Sequence, residues 1–238
     1  MYITYYILGI ILLPAIILAI YAEAKVNSSY NKYSTEFSQK NIKGCELAKQ
    51  ILTAYDIHDV QIKEIDGKLS DYYDSKNKIL ALSKDNYNST SISSLGVTAH
   101  ECGHAIQDKQ HYFPNKIRNF VIKTYNISST FLMPIIILGL LFDFVWLAPN
   151  IANIILICGM SVFGLSFLAS LITLPVEFNA SKRAIKILQE NNILSSEETG
   201  KVKEVLSAAA LTYVASFLYS LLNLLRFVLI FAKSNRKK

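Results

Sequence analysis

The ten residues TAHECGHAIQ (98–107) contain two histidines four positions apart, with a glutamate directly after the first. On an α-helix, His100 and His104 lie one turn apart on the same face, so a single metal ion can contact both. Neutral imidazole is a common zinc ligand, and Glu101 lies where it can take a proton from a metal-bound water. Gly103 keeps the helix narrow where another backbone packs closely. The stretch therefore predicts a zinc-binding helix.

The alternative is a chance pattern, in which two polar histidines lie on an ordinary amphipathic helix. The neighbouring residues oppose it, because Val97, Ala99 and Ile106 make the other faces of this helix apolar and so predict burial. A buried histidine pair with a glutamate between its members is costly unless something binds the three side chains. Cys102 is predicted to point away from the histidine face and is not counted as a ligand.

A catalytic zinc ion takes three protein ligands and keeps its fourth position for water. His111 is too close along the chain to reach the same metal, and His58 falls in a predicted loop. The better candidate is Glu177 in TLPVEFNASKRAIKIL (173–188), which follows Pro175 and is predicted to open a helix. The alternative is an ordinary first-turn glutamate, favoured there by the helix dipole.

The chain has 238 residues, of which 52% are hydrophobic, a fraction too high for an ordinary soluble domain. Its three cysteines are too few for a disulfide framework or a thiolate zinc cluster. Crossing a bilayer takes roughly 20 mostly apolar residues. Four stretches meet this length: 3–22, which is interpreted as a retained anchor, then 131–147, 151–174 and 207–231. The sequence therefore predicts an integral membrane protein.

The spans divide the chain into an anchor (1–24), a catalytic region (25–130), a membrane hairpin (131–175), a third-ligand segment (176–206) and a last span with a basic tail (207–238). Two crossings separate His104 from Glu177, so both should face the same compartment. The catalytic region is predicted to contain a helix in 41–58, two or three short strands in 59–83, and the motif helix, which begins after capping Ser and Thr residues.

Several stretches, in the order found here, resemble the YugP-like neutral zinc metallopeptidases of bacterial membranes: NKYS (31–34), GKLSDYYDSKNKILALS (67–83), AHECGHAIQ (99–107), LPVEFNASKRA (174–184) and AAALTYVAS (208–216). The resemblance covers nearly the whole chain. It implies a membrane-embedded gluzincin with one zinc ion per chain on His100, His104 and Glu177, and with Glu101 as general base. The expected fold is a mostly α membrane protein of about four transmembrane helices, with a small α+β zincin-like catalytic domain that carries the motif helix.

More distantly, the arrangement is similar to membrane peptidases of the CAAX-processing and heat-shock type, which carry E-x-x-x-D after the third ligand. Ser181 stands in the place of that aspartate. A hydroxyl orients an imidazole more weakly than a carboxylate does, and Ser181 is predicted to take this role. The family often has D-H-Y-D where this chain has DYYD, so any role for a histidine at Tyr72 is absent here.

Two further roles are predicted for residues outside the metal site. Tyr213 and Arg183 are candidates for the donor that faces the developing oxyanion, the alternatives being an interfacial tyrosine and a headgroup-facing cation. The segment KNKILALS (76–83) is predicted to be an edge strand that binds an extended substrate near Leu80 and Leu82. The alternative is a core strand that is buried on both sides.

The predicted function is hydrolysis of peptide bonds in membrane or membrane-associated proteins. The alternative is a membrane scaffold or chaperone with a structural or vestigial zinc site, although such a site has no use for Glu101. A zinc sensor or transporter would need acidic or histidine residues within the spans, where only Asp143 qualifies. Nucleic acid is not expected as a partner, because the 24 Lys and Arg residues are spread out apart from the tail KSNRKK (233–238).

The basic tail also bears on the expected location, a bacterial cell membrane. The positive-inside rule puts the tail in the cytoplasm, and four spans then put the catalytic segments outside. The cations of NKIRNFVIK (115–123) and SKRAIK (181–186) oppose this orientation, because they lie beside the membrane on the catalytic side. On the balance between the basic tail and these cations, the sequence favours the extracytoplasmic side for the catalytic segments.

Overall fold

The computed structural model describes residues 9–146 and 149–235. Within these ranges the chain is mostly helical and has one small sheet. Its elements are, in chain order, α1 (Leu13–Ser34), α2 (Gly44–Ala54), β1 (Gln61–Ile65), β2 (Tyr72–Asp74), β3 (Ile79–Ser83), α3 (Lys84–Tyr87), α4 (Ile92–Lys109), α5 (Phe113–Trp146), α6 (Pro149–Glu190) and α7 (Ser196–Asn235).

The described residues fall into two compact units, each built from segments that are distant in sequence. The motif unit comprises Tyr21–Asn115 and Pro175–Thr212. The apolar unit comprises the described residues of Met1–Ile20, Lys116–Leu174 and Tyr213–Lys238. The motif helix and Glu177 therefore belong to the same unit, although α5 and the first part of α6 separate them in sequence.

Helix α4 contains the stretch TAHECGHAIQ, and the predicted motif helix is thereby confirmed. It begins after Ser91, whose hydroxyl accepts a hydrogen bond from the backbone N–H of Ser94 at 3.3 Å. Such a cap satisfies one of the free donors of the first turn and explains why the helix starts here. The apolar face of α4 packs against α2, and Cys102 is fully buried in the shared core. That burial agrees with its predicted orientation away from the histidines.

The sheet consists of three strands, in agreement with the two or three predicted, and β3 lies between β1 and β2. Strand β1 pairs with β3 in parallel, and β2 pairs with β3 in the antiparallel sense. Leu80 and Leu82 are fully buried. Both edges of β3 are thus occupied, and neither leucine is open to a substrate. The expectation that this segment is an edge strand is wrong, and the alternative of a core strand describes it.

Glu177 does not open a helix, in contrast to the prediction from Pro175. Helix α6 runs without a break from Pro149 to Glu190, and Pro175 lies inside it. Proline usually ends helices because it lacks an N–H, but long apolar helices tolerate it where neighbouring groups satisfy the freed carbonyl. A dipole effect at a helix start is therefore not the reason for a glutamate at this position.

Two described helices are long and apolar enough to cross a membrane, in the segments Ile157–Glu190 and Ser196–Leu229. In their most apolar windows, only 11% and 33% of the residues are buried within the chain, unlike the core helix of a soluble protein. The described residues therefore contain two candidate spans and not the four expected. The predicted spans 3–22 and 131–147 include residues 3–8 and 147, which lie outside the described ranges.

Within the apolar unit, α6 and α7 pack side by side. The hydroxyl oxygens of Ser170 and Ser220 lie 2.5 Å apart, and the rings of Phe163 and Phe227 stack with their centroids 4.2 Å apart. A hydrogen bond between small polar side chains is typical of helices that associate in lipid, where backbones must approach closely.

Candidate metal centre

Three possible metal ligands meet between α4 and α6 in the motif unit. The Nε2 atoms of His100 and His104 lie 3.2 Å apart, and Oε2 of Glu177 lies 3.3 Å from the first and 3.4 Å from the second. The histidine side chains are 12% exposed and the glutamate side chain is 3% exposed. In the described part of the chain, these three residues form the group that could hold a metal ion.

The spacing of these three atoms fits a zinc ion. Four ligands placed tetrahedrally at the usual bond lengths lie about 3.3–3.4 Å from one another, which matches all three separations here to within about 0.1 Å. Two imidazoles and one carboxylate are also the donor set of many catalytic zinc sites, which leave a fourth position open. Burying three lone-pair donors at such short distances is costly unless a proton or a cation lies among them.

The two helices approach closely beside the ligands because one of them has a glycine at the crossing. A Cβ atom added to Gly103 would lie 2.8 Å from the backbone oxygen of Ala180. The prediction that Gly103 serves a close backbone approach is thereby confirmed. Ala180 follows Glu177 by less than one turn, so this contact sets how near the glutamate comes to the histidines.

We expect Gly103→Ala to destabilise the protein and to weaken metal binding. Alanine stabilises a helix interior by about 0.5–1 kcal/mol relative to glycine. Overpacking a tight site costs about 1–3 kcal/mol, and the clash here is with a rigid backbone oxygen, so the overpacking cost should prevail. Thermal unfolding and zinc titration measure the two effects.

The matched control for this variant is Gly200→Ala, in α7 of the same unit. Gly200 is exposed and has open space where a Cβ would lie. This variant should keep wild-type zinc binding and gain slightly in stability, through helix propensity alone. Equal behaviour of the two variants would show that the close approach at Gly103 is unimportant.

The second ring nitrogen of each histidine also has a partner. Nδ1 of His100 lies 3.1 Å from Oγ of Ser181, the residue predicted from the more distant similarity to CAAX-processing and heat-shock type peptidases to orient a ligand. Nδ1 of His104 lies 3.1 Å from Oε1 of Gln107. Contacts at Nδ1 leave both Nε2 atoms facing Glu177, which is the arrangement that metal-binding histidines need.

Glu101 lies between the two histidines in α4 and is 9% exposed. Within residues 9–146 and 149–235, its carboxyl group forms no hydrogen bond or ion pair. Burial raises the pKa of this carboxyl above its usual value, while positive charge on His100 and His104 would lower the pKa. A buried carboxyl without fixed partners is free to exchange a proton with a water molecule.

The two predicted oxyanion donors lie in different surroundings. Arg183 donates from Nε to Oδ1 of Asn179 and from a terminal nitrogen to Oε1 of Gln110, at 2.7 Å in both cases. These bonds give the guanidinium a structural role beside the end of α4. Tyr213 belongs to the apolar unit. A catalytic role for either residue stays a prediction.

Sequence reasoning did not single out Gln107 and Asn179. Gln107 is fully buried, and its Nε2 donates to the backbone oxygen of Val176 at 2.8 Å and to Oδ1 of Asn179 at 3.0 Å. A signal was present in the sequence, because Gln107 follows His104 by three positions and so shares its helix face. Its partners on α6 are about 70 positions away and follow from the tertiary structure only.

Two comparisons with known proteins match this chain over most of its length. The family described as "Putative neutral zinc metallopeptidase" matches the chain over residues 8–232, which include all three possible ligands. The chain is 37% identical over 219 residues to "Putative membrane protease YugP" of Bacillus subtilis (strain 168), and the match covers 92% of this chain and 94% of that relative. No solved structure matches the chain.

Proposed function

Because the chain belongs to the neutral zinc metallopeptidase family, we propose that it is a membrane-embedded zinc protease of the gluzincin type. The observation that carries this proposal is the meeting of His100, His104 and Glu177 at mutual distances of 3.2–3.4 Å in a buried site. In this proposal they hold one zinc ion per chain. Glu101, on the same helix, supplies the base that a hydrolase needs and a structural metal site does not.

A bound zinc ion supplies two kinds of chemistry to such a site, since it acidifies a water molecule and polarises the carbonyl of the scissile peptide bond. The other steps fall to residues of the chain. Glu101 accepts a proton from the attacking water and delivers it to the leaving amine. Its raised pKa supports this role, because a carboxylate whose pKa lies nearer to neutrality accepts a proton from the attacking water more readily. Tyr213 and Arg183 are the candidates to donate a hydrogen bond to the oxyanion.

We propose that the substrates are peptide segments of membrane or membrane-associated proteins. The support is the continuity of α6, which is a candidate membrane span and also carries Glu177. The candidate span Ile157–Glu190 includes Glu177 itself. The test compares the membrane and secreted proteins of cells that carry the wild type or Glu101→Gln. Uncleaved substrates should accumulate in the variant, and identical protein profiles would count against proteolysis of such proteins.

We propose further that the protein is integral to a bacterial cell membrane, with the site on the extracytoplasmic side. The support is the basic tail KSNRKK (233–238), which favours a cytoplasmic C-terminus. An impermeant maleimide applied to intact cells tests this, with single cysteines at residue 90 or in the tail of a chain that lacks its native cysteines. Labelling at residue 90 alone is expected. Labelling in the tail alone would reverse the assignment.

A further inference from the structure

We propose that Gln107 is a positioning residue, which holds the metal ligand His104 in one tautomer and joins α4 to the backbone beside Glu177. This inference rests on the proposed zinc site and adds a residue that the ligand set does not include. Gln107 is polar and fully buried in a helix whose other buried residues are mostly apolar or small. Such a residue is costly unless all its polar atoms have partners. Here each of them does.

The orientation of the Gln107 amide is fixed by two partners. The backbone oxygen of Val176 can only accept, so the atom 2.8 Å from it must be the NH₂ group of Gln107. The second partner is Oδ1 of Asn179, which also accepts a hydrogen bond from Nε of Arg183. Arginine is always a donor, so it identifies this atom of Asn179 as the oxygen. Rotating the Gln107 amide by half a turn would therefore place its oxygen against the oxygens of both Val176 and Asn179.

The orientation of the amide determines the tautomer of His104. With its NH₂ group directed at α6, Gln107 presents Oε1 to Nδ1 of His104 at 3.1 Å. Since Oε1 can only accept, Nδ1 must carry the proton. In a neutral imidazole the lone pair then resides on Nε2, the atom that faces His100 and Glu177.

Without Gln107 the opposite tautomer would be favoured before metal binds. The Glu177 carboxylate lies 3.4 Å from Nε2 of His104 and attracts a proton to that nitrogen. A proton there would occupy the lone pair that a metal ion needs. Gln107 opposes this competition, because only the tautomer with the proton on Nδ1 satisfies its buried carbonyl oxygen.

The hydrogen bond to Val176 gives Gln107 a second effect on the site. Val176 directly precedes Glu177, so one side chain contacts the ligand His104 on α4 and the backbone next to the third ligand on α6. Gly103 provides the close approach of the two helices, and Gln107 fixes their register at the level of the ligands. A hydrophobic residue of the same size could fill the space but could provide neither hydrogen bond.

The test is the zinc affinity of the purified full-length protein, measured by competition with a chromophoric chelator. Gln107→Met keeps the size of the side chain and removes all three of its hydrogen bonds, to His104, Val176 and Asn179. We expect its zinc affinity to fall about 10–100-fold, as for other groups that orient metal ligands. Gln107→Glu keeps an acceptor for Nδ1 of His104 but loses the donor to Val176 and Asn179. The carboxylate oxygen that then faces these two acceptors should lower the melting temperature, but it does not change which nitrogen of His104 carries the proton. The zinc affinity of Gln107→Glu should lie within about tenfold of the wild-type affinity. A loss of about tenfold is the smallest that is typical when a group that orients a metal ligand is removed.

The matched control is Gln110→Met, at the end of the same helix. Gln110 accepts a hydrogen bond from Arg183 on α6 and, among the described residues, forms no hydrogen bond with any of the three ligands. This variant should keep wild-type zinc affinity, which separates positioning of His104 from a general loss of contact between α4 and α6. An equal loss in Gln107→Met and Gln110→Met would overturn the inference.

Two other results would also overturn it: wild-type affinity in Gln107→Met, or a Gln107→Glu variant as weak as Gln107→Met. If Gln107→Met does not fold, as judged by circular dichroism, a loss of more than tenfold in a folded Gln107→Glu variant counts against the inference. Failure of the proposed function is distinguishable, because the wild-type protein itself would then bind no zinc in the same titration.

Discussion

Glu101→Gln is expected to abolish peptide hydrolysis while the protein still binds one zinc ion per chain. Glutamine has nearly the shape of glutamate but cannot accept a proton at neutral pH. Loss of a general base lowers a rate by about 10²–10⁴-fold, which would leave little measurable activity. Glu101 is not among the three residues whose atoms converge, so zinc binding should remain. Folding should not suffer, because the change removes a buried carboxyl group that has no hydrogen-bond partner among the described residues.

The measurement combines hydrolysis of a membrane-protein substrate with elemental analysis of the same preparation. Glu64→Gln is a suitable control, since it makes the same chemical change at an exposed residue of β1. It should have wild-type activity. Full activity in Glu101→Gln would mean that Glu101 is not the general base. A wild-type protein that binds zinc but hydrolyses no peptide would favour the alternative function, a scaffold or chaperone with a structural or vestigial zinc site. Loss of zinc together with activity would mean that Glu101 holds the metal site together.

Glu177→Gln is expected to lose zinc together with activity. The change replaces an anionic ligand by a neutral amide at a side chain that is 3% exposed. Groups that only orient ligands change metal affinity by about 10–100-fold, so loss of a ligand itself should exceed this range. Elemental analysis after dialysis against a weak chelator measures the effect.

Glu190→Gln provides the control on the same helix. Glu190 lies in the last turn of α6 with its side chain 63% exposed, where it pairs with Lys186 at 3.7 Å. Exposed ion pairs of this kind contribute little, so this variant should keep both its zinc and its activity. Full zinc occupancy in Glu177→Gln would remove Glu177 from the metal site. The ligand set would then have to be sought again around the two histidines.

Local pattern was sufficient for helix α2, the three strands and helix α4 of the motif unit. Helix α4, helix α2 and the three strands all lie where periodicity and capping residues predict them. Hydrophobic spacing and caps act over a few residues, so the sequence shows them directly. The same holds for Gly103, because a glycine inside a buried helix implies a close neighbour even when that neighbour is unknown.

Local pattern failed where distant segments decide the environment of a residue. Pro175 is a helix breaker by its own chemistry, yet α6 passes through it. Long apolar helices tolerate a proline where other groups satisfy the freed carbonyl. The segment 76–83 alternates as an edge strand would, but β1 and β2 pair with both sides of β3. Neighbouring residues in the sequence predict neither the continuation of α6 through Pro175 nor the pairing of β3 on both sides.

By itself, the sequence determined the two histidines on one helix face, the glutamate between them, and a third acidic candidate more than 70 positions away. Helical periodicity places the two histidines on one face with the glutamate between them. A third candidate is expected because a catalytic zinc ion takes three protein ligands. Only the tertiary structure decided that Glu177 meets the histidines and that Gln107 joins His104 to the backbone beside it. Such contacts depend on how α4 and α6 cross. Local pattern indicates that a backbone packs against Gly103, but only the tertiary structure identifies that backbone as the one at Ala180.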